Sequence, residues 1–186
     1  PELSERFGGI QEYQGVHSQQ DRTLLNSNVS YDLINMPFGL LGIEYIKTHV
    51  YFSPIFSQED KVSCIVEILF GNLCIIIQKN TKQNELDSYT RVDSGFLVRL
   101  KAGDRFIIPE GYFYTFVNAN NSNVLFSRAY KKYSIIDYAI LRKERGLAYY
   151  CIRKNGHPEI VRNPYYKNTP HIIEITGENS LFDSDV

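Results

Sequence analysis

The sequence predicts an all-β protein, an antiparallel sandwich or barrel, and three observations carry that expectation. Short runs rich in β-branched and aromatic residues recur along residues 43–130. Turn signals separate them at intervals that suit hairpins rather than βαβ units. The composition holds 14 Tyr and 11 Phe with no Trp, a bias that favours pleated, half-buried surfaces.

Residues 1–42 are polar and irregular, which reads as an N-terminal arm or an early β-hairpin packed on the barrel. Strand-like runs then cover residues 43–52, 62–70, 73–78, 96–100, 105–108, 112–117 and 124–130. Gly71-Asn72, the Asn-rich stretch 80–84, Ala102-Gly103-Asp104, Pro109-Glu110-Gly111 and residues 118–123 supply the turns between them. One short helix is predicted over 135–145, with Ser134 as its N-cap, Asp137 three positions on and Gly146 as its stop. A closing hairpin follows, its two runs at 148–153 and 159–162 joined through Lys154-Asn155-Gly156. The barrel domain is thus expected over 43–175, with 176–186 a flexible acidic tail.

At 186 residues, 43% hydrophobic and 22% charged, the chain has the length of one domain and the apolar content for a real core. A net charge of -1 argues against nucleic acid or anionic lipid as a partner. Apolar runs such as Leu73 to Ile77 are far too short to span a membrane. No charged-apolar-small leader supports secretion, and the start at Pro1 suggests that an upstream piece was removed. Three cysteines, Cys64, Cys74 and Cys151, lack CxxC spacing and suit a reducing, cytoplasmic compartment. Asn28-Val29-Ser30 and Asn120-Asn121-Ser122 then read as chance glycosylation matches. The basic pairs Lys131-Lys132 and Arg142-Lys143 read as solvated faces. The histidines are His17, His49, His157 and His171, no two close in sequence.

The stretch from Gly103 to Asn118 resembles the second cupin motif: Gly, five residues, Pro-x-Gly, two residues, His, three residues, Asn. Gly103, Pro109, Gly111 and Asn118 keep that spacing, and Tyr114 stands in the His position. Cys64 and Gly71 fit the Glu and Gly that end the first motif. Phe126-Ser-Arg-Ala-Tyr130, Asp137-Tyr138, the helix stop at Gly146 and Ile160-Val161-Arg162-Asn163-Pro164-Tyr165 extend the likeness. Together they resemble the archaeal cupin-type glucose-6-phosphate isomerases from about residue 43 to 166. The resemblance implies a single cupin barrel of the double-stranded β-helix or jelly-roll kind. It also implies a homodimer and interconversion of glucose 6-phosphate and fructose 6-phosphate, a step of glycolysis and gluconeogenesis.

In the resembled family a divalent metal such as iron is held by a His-x-His pair, a Glu and a later His. The corresponding positions are Ile55, Ser57, Cys64 and Tyr114, and none keeps its ligand type. The Thr and Gly that precede the His pair fall at Phe52 and Pro54. A shifted first motif reaches Gln58, Glu59 or Asp60, again without a histidine. Tyr130, Asp137 and Tyr138 match a tyrosine, an aspartate and a tyrosine that surround the family's sugar phosphate. Tyr130 reads equally as a barrel-wall aromatic and Asp137 as a first-turn helix acid. Lys131 and Lys132 follow directly and could meet a phosphate, His49 reads as half-buried or exposed rather than a ligand, and Cys64 as a small core hydrophobe.

No metal cofactor is therefore expected. Isomerisation needs an electrophile on the carbonyl oxygen and a base near the hydroxyl, and the family's metal supplies the first. Three functions stay open: a sugar-phosphate isomerase, a metal-free pocket for a sugar phosphate or another small polar ligand, and a structural homodimer without catalysis.

Overall fold

The computed structural model describes residues 11–14, 29–52, 55, 62–81, 91–131, 135–136 and 143–176. Among these, fifteen strands follow in order. They are β1 (Gln11–Gln14), β2 (Val29–Met36), β3 (Leu40–Leu41), β4 (Glu44–Tyr45), β5 (Tyr51–Phe52), β6 (Val62–Phe70), β7 (Asn72–Thr81) and β8 (Arg91–Lys101). Then come β9 (Arg105–Pro109), β10 (Tyr112–Val117), β11 (Val124–Lys131), β12 (Ile135–Ile136), β13 (Tyr149–Lys154), β14 (His157–Arg162) and β15 (Ile172–Thr176). They form a five-stranded sheet β1-β2-β11-β6-β9, a six-stranded sheet β12-β5-β10-β7-β8-β15 and a four-stranded sheet β14-β13-β4-β3.

Strand chemistry explains the layering. On β6, Cys64, Val66 and Ile68 are buried while Ile65 and Leu69 are exposed, the alternation of a strand with one covered face. On β7, every residue from Leu73 to Gln78 is buried, because both faces are covered. One side of β7 sends Leu73, Ile75 and Ile77 into the barrel with Val66, Ile68, Phe116 and Phe126. The other sends Cys74 and Ile76 into a second core with Tyr149 and Cys151 of the four-stranded sheet. Burying several such side chains at about 1.5–3 kcal/mol each makes these two layers the main stabilising term.

The closing hairpin forms as the Asn-Gly signal predicts. Lys154 pairs directly with His157, so the loop has two residues, and both Asn155 and Gly156 have positive φ, 52° and 83°. The runs expected at 62–70, 73–78, 96–100, 105–108, 112–117 and 124–130 all lie within strands. The early hairpin also exists, β1 pairing antiparallel with β2.

Several expectations change. Val29–Met36, read as part of an arm, is a strand of the barrel wall that pairs with β11 along its whole length and buries Ile34 and Met36. The run 43–52 is not one strand, because it crosses between sheets: β4 joins the four-stranded sheet and β5 the six-stranded one. Backbone bonds from Thr48 N to Phe116 O and from Asn118 N to Ile46 O hold the crossing segment. At the start of the expected helix, Ile135–Ile136 form β12 against β5, two β-branched residues extending a sheet edge. Positions 137–142 of that helix lie outside the described residues. Its expected stop coincides with positive φ at Arg145 and Gly146, 55° and 110°. Among the described strands one pair is parallel, β15 along β8 at the sheet's rim.

Candidate functional site in the barrel interior

Cross-strand register decides which side chains meet inside the barrel. Arg128 on β11 pairs with Asp32 on β2 and with Val66 on β6, and two residues along Tyr130 pairs with Cys64. These positions share the inward phase of Ile34, Ile68 and Phe126, so an acid and a base enter the core side by side. Arg128 donates to Asp32 Oδ2 through Nε at 2.8 Å and Nη2 at 2.6 Å, with side-chain exposures of 3% and 0%. The guanidinium also lies between two rings, 4.1 Å from the centroid of Tyr51 and 4.3 Å from that of Tyr130. The Tyr130 hydroxyl reaches Asp32 Oδ1 at 3.3 Å. A neutral, doubly stacked ion pair results, the arrangement that lets a charge persist in an apolar core.

Cys64 and Tyr114 complete the cluster from β6 and β10, both at 0% exposure. Tyr114 stacks on Tyr51 with ring centroids 5.5 Å apart and meets Phe116 edge-on. Burial pushes the Tyr114 hydroxyl well above the usual tyrosine range, and the neighbouring Cys64 thiol adds to the effect while Arg128 opposes it. Among the described residues its hydroxyl oxygen has no hydrogen-bond partner at good geometry, although the Cys64 thiol is close enough to interact with it. The Cys64 thiol is pushed up to about 11 by burial, against smaller lowering contributions from Arg128 and Tyr114. Both groups are therefore neutral at physiological pH.

The other sequence-derived positions are distributed differently. Ile55 is 68% exposed and rests on the Gly111 turn, where a Cβ would come within 2.9 Å of Ile55 Cδ1. Gly111 has φ 83°, so glycine suits that corner twice over. Ser57, Asp137 and Tyr138 lie outside the described residues, as do Gln58, Glu59, Asp60 and Lys132. Tyr130 is at the inner wall on Asp32 and Arg128. Lys131 donates to Glu110 Oε1 at 2.7 Å, which ties the end of β11 to the turn between β9 and β10. His49 is half-buried, and burial lowers its imidazole below the usual range. Among the described residues no three His, Cys, Asp or Glu side chains gather as a metal-binding group.

Two motif asparagines turn out to be structural. Asn118 donates through Nδ2 to the carbonyls of Met36, Pro37 and Ser122 at 2.9–3.1 Å, fastening β2 to the turn after β10. Asn163 does the same for the carbonyls of Glu144 and Leu147 at 2.7 and 2.8 Å. Sequence reasoning passed over Asp32 and Arg128. The available signal was an acid in phase with Ile34 and Met36, and a base in phase with Phe126 and Tyr130.

Two facing β-sheets closed around an aromatic core, with the Gly103 to Asn118 stretch running from the β8–β9 turn through β9 and β10, define an all-β cupin barrel. The sequence profile of the family Glucose-6-phosphate isomerase (GPI) matches residues 8–168. The chain belongs to the glucose-6-phosphate isomerase family, in its cupin form. No curated protein sequence matches it. Among solved structures, an oxalate oxidase is 16% identical with a TM-score of 0.44, covering 73% of this chain and 56% of that one. The formate complex of Lactobacillus farciminis oxalate decarboxylase is 12% identical with a TM-score of 0.45, covering 72% and 32%. The Drosophila melanogaster CENP-C cupin domain is 12% identical with a TM-score of 0.39, covering 64% and 68%. The chain thus spans only part of those proteins, and at these scores the likenesses carry no further weight. No helix among the described residues is long and apolar enough to cross a membrane.

Proposed function

We propose that this chain is a member of the glucose-6-phosphate isomerase family that does not use the family's metal-assisted isomerisation, and that its barrel serves as a packed, metal-free fold. The observation that carries this reading is the occupant of the barrel's centre. Cys64 and Tyr114, at two of the four positions where the resembled enzymes place metal ligands, sit at 0% exposure beside the Arg128–Asp32 pair. The donor set does not suit a divalent ion. Ile55 has no donor atom, and burial keeps Cys64 and Tyr114 protonated. The adjacent guanidinium repels a second cation, and Asp32 is already neutralised by Arg128.

The reading includes a homodimer. Ile65, Leu69 and Phe70 are 42%, 45% and 61% exposed along β6, beside the Glu67–Arg105 pair, and an apolar outer sheet face of this kind gains by pairing with a second copy. The free thiols of Cys64, Cys74 and Cys151 support a reducing, cytoplasmic setting. A second reading keeps a small polar ligand such as a sugar phosphate at the barrel rim. Tyr130, near the end of β11 and only half-buried, favours it.

Elemental analysis of the purified chain, with conversion of glucose 6-phosphate followed with and without chelator, tests the proposal. Substoichiometric metal and no chelator-sensitive conversion are expected. Near-stoichiometric iron, nickel, manganese or zinc with chelator-sensitive turnover overturns it. A melting shift on adding glucose 6-phosphate selects the rim-binding reading over the purely structural one.

A further inference from the structure

A bay of about 500 Å³ lies on the opposite side of the six-stranded sheet from the barrel interior, near the turn joining β8 to β9. The register explains its lining. Cys74 pairs with Arg99 and Asn72 with Lys101, so these four share one face, while Leu73 and Leu100 between them enter the barrel core. Thr176 at the end of β15 and Asn120 after β10 close the sides, and Asp104 stands at the base.

Two cations border this space. Arg99 has a side chain 41% exposed, with Nη1 3.7 Å from Cys74 Sγ and Nε 3.4 Å from Glu174 Oε2. Lys101 is exposed, and among the described residues its ammonium has no ion-pair partner. Two acids stand nearby. Asp104 accepts the Lys101 backbone N–H at 2.9 Å, which caps the turn. Glu174 is itself 55% exposed, and a pair so long and so wet yields to a closer anion.

We propose that this bay binds a small phosphoryl-bearing anion, with Arg99 as a planar fork, Lys101 as a mobile point charge and the Thr176 hydroxyl as a neutral donor. Arg99 and Lys101 supply two positive charges towards a phosphate dianion, set against the nearby carboxylates of Asp104 and Glu174, and the bay's volume falls within the range of small-ligand pockets. The buried, neutral Cys74 thiol beneath the guanidinium adds no competing negative charge at neutral pH. Arg99, Lys101 and Thr176 take no part in the Cys64, Tyr114, Asp32 and Arg128 cluster, so the site stands whether or not the reading of the barrel does.

The test is a titration of the full chain with inorganic phosphate at constant ionic strength, read by amide chemical shifts. Saturable shifts are expected at residues 72–74, 99–101, 120 and 176. R99Q and K101Q should each weaken binding by about fivefold or more, the effect of removing one charge-assisted contact. K154Q, which removes an exposed lysine on β13, should leave it unchanged. Non-saturable shifts, shifts centred elsewhere, or equal weakening by K154Q overturn the proposal. Malonate binding as tightly as phosphate overturns the phosphoryl class. Should R99Q fail to fold, the exposed K101Q substitution alone decides.

Discussion

Two cysteine–arginine neighbourhoods among the described residues differ in almost every physical respect. Inside the barrel, Arg128 is 3% exposed, bonded twice to Asp32, stacked between Tyr51 and Tyr130, and close to Cys64. On the outer side of the other sheet, Arg99 is 41% exposed, loosely paired with Glu174 and in contact with Cys74. In the first, every interaction is in a low dielectric and the charges are matched, so the group is part of the fold. In the second, water screens the same chemistry, so the cation stays available to a ligand. Residue type alone distinguishes neither. Register and the number of covered sheet faces do.

The largest effect should come from unmatching the buried pair. Asp32→Asn or Arg128→Ala leaves one charge, or its partner's lone pairs, stranded in the core, a loss of about 3–5 kcal/mol read from denaturant midpoints. Replacing both with apolar residues of similar volume, Asp32→Leu with Arg128→Met, should recover most of that loss. Equal losses in the single and double variants would show that Arg128 acts through something other than its match with Asp32.

Alkali should attack the sealed neighbourhood next. Cys64 has its folded pKa raised from 9.0 to about 11, so the folded state holds its proton more tightly than the unfolded chain. The stabilisation is complete below pH 9.0 and is lost as pH rises towards about 11. Stability of the wild type should therefore fall across that window, and Cys64→Ala should flatten that part of the profile. An unchanged slope in Cys64→Ala would assign the alkaline loss to other buried groups, such as Cys151.

Much of the fold is legible in the sequence because its cause is local. The 73–78 run is continuously apolar because β7 is covered on both faces, and Asn155-Gly156 supplies the two positive-φ residues of a tight hairpin. The spacing from Gly103 to Asn118 also places Tyr114 inside, near Cys64. What escapes is non-local. Asp32 makes β2 look like a polar arm until Arg128, 96 positions away, neutralises it. The 43–52 run looks like one strand because nothing in it announces a change of sheet.

A smaller effect sharpens the reading of Tyr114. Its hydroxyl is buried and has no well-formed hydrogen bond among the described residues, so Tyr114→Phe removes a desolvated polar atom while keeping the ring stacked on Tyr51. The expected change is a gain of up to about 1 kcal/mol, or none. A loss of more than about 1 kcal/mol would show that the contact with the Cys64 thiol outweighs the burial cost.

The smallest effect should be at Arg99. Its pair with Glu174 spans 3.4 Å between side chains 41% and 55% exposed, so solvent competes for both ends and the long side chains lose rotamer freedom by meeting. Arg99→Gln should shift stability by no more than about 1 kcal/mol, with an unchanged denaturant slope. Glu174→Gln should behave alike, and the double variant should show coupling of only about 0.5 kcal/mol. Against the several kcal/mol expected at Arg128, that contrast isolates exposure as the deciding variable. A large loss in Arg99→Gln without a matching loss in Glu174→Gln would place the stabilising contact at the Cys74 sulfur and make the outer neighbourhood, like the inner one, part of the fold.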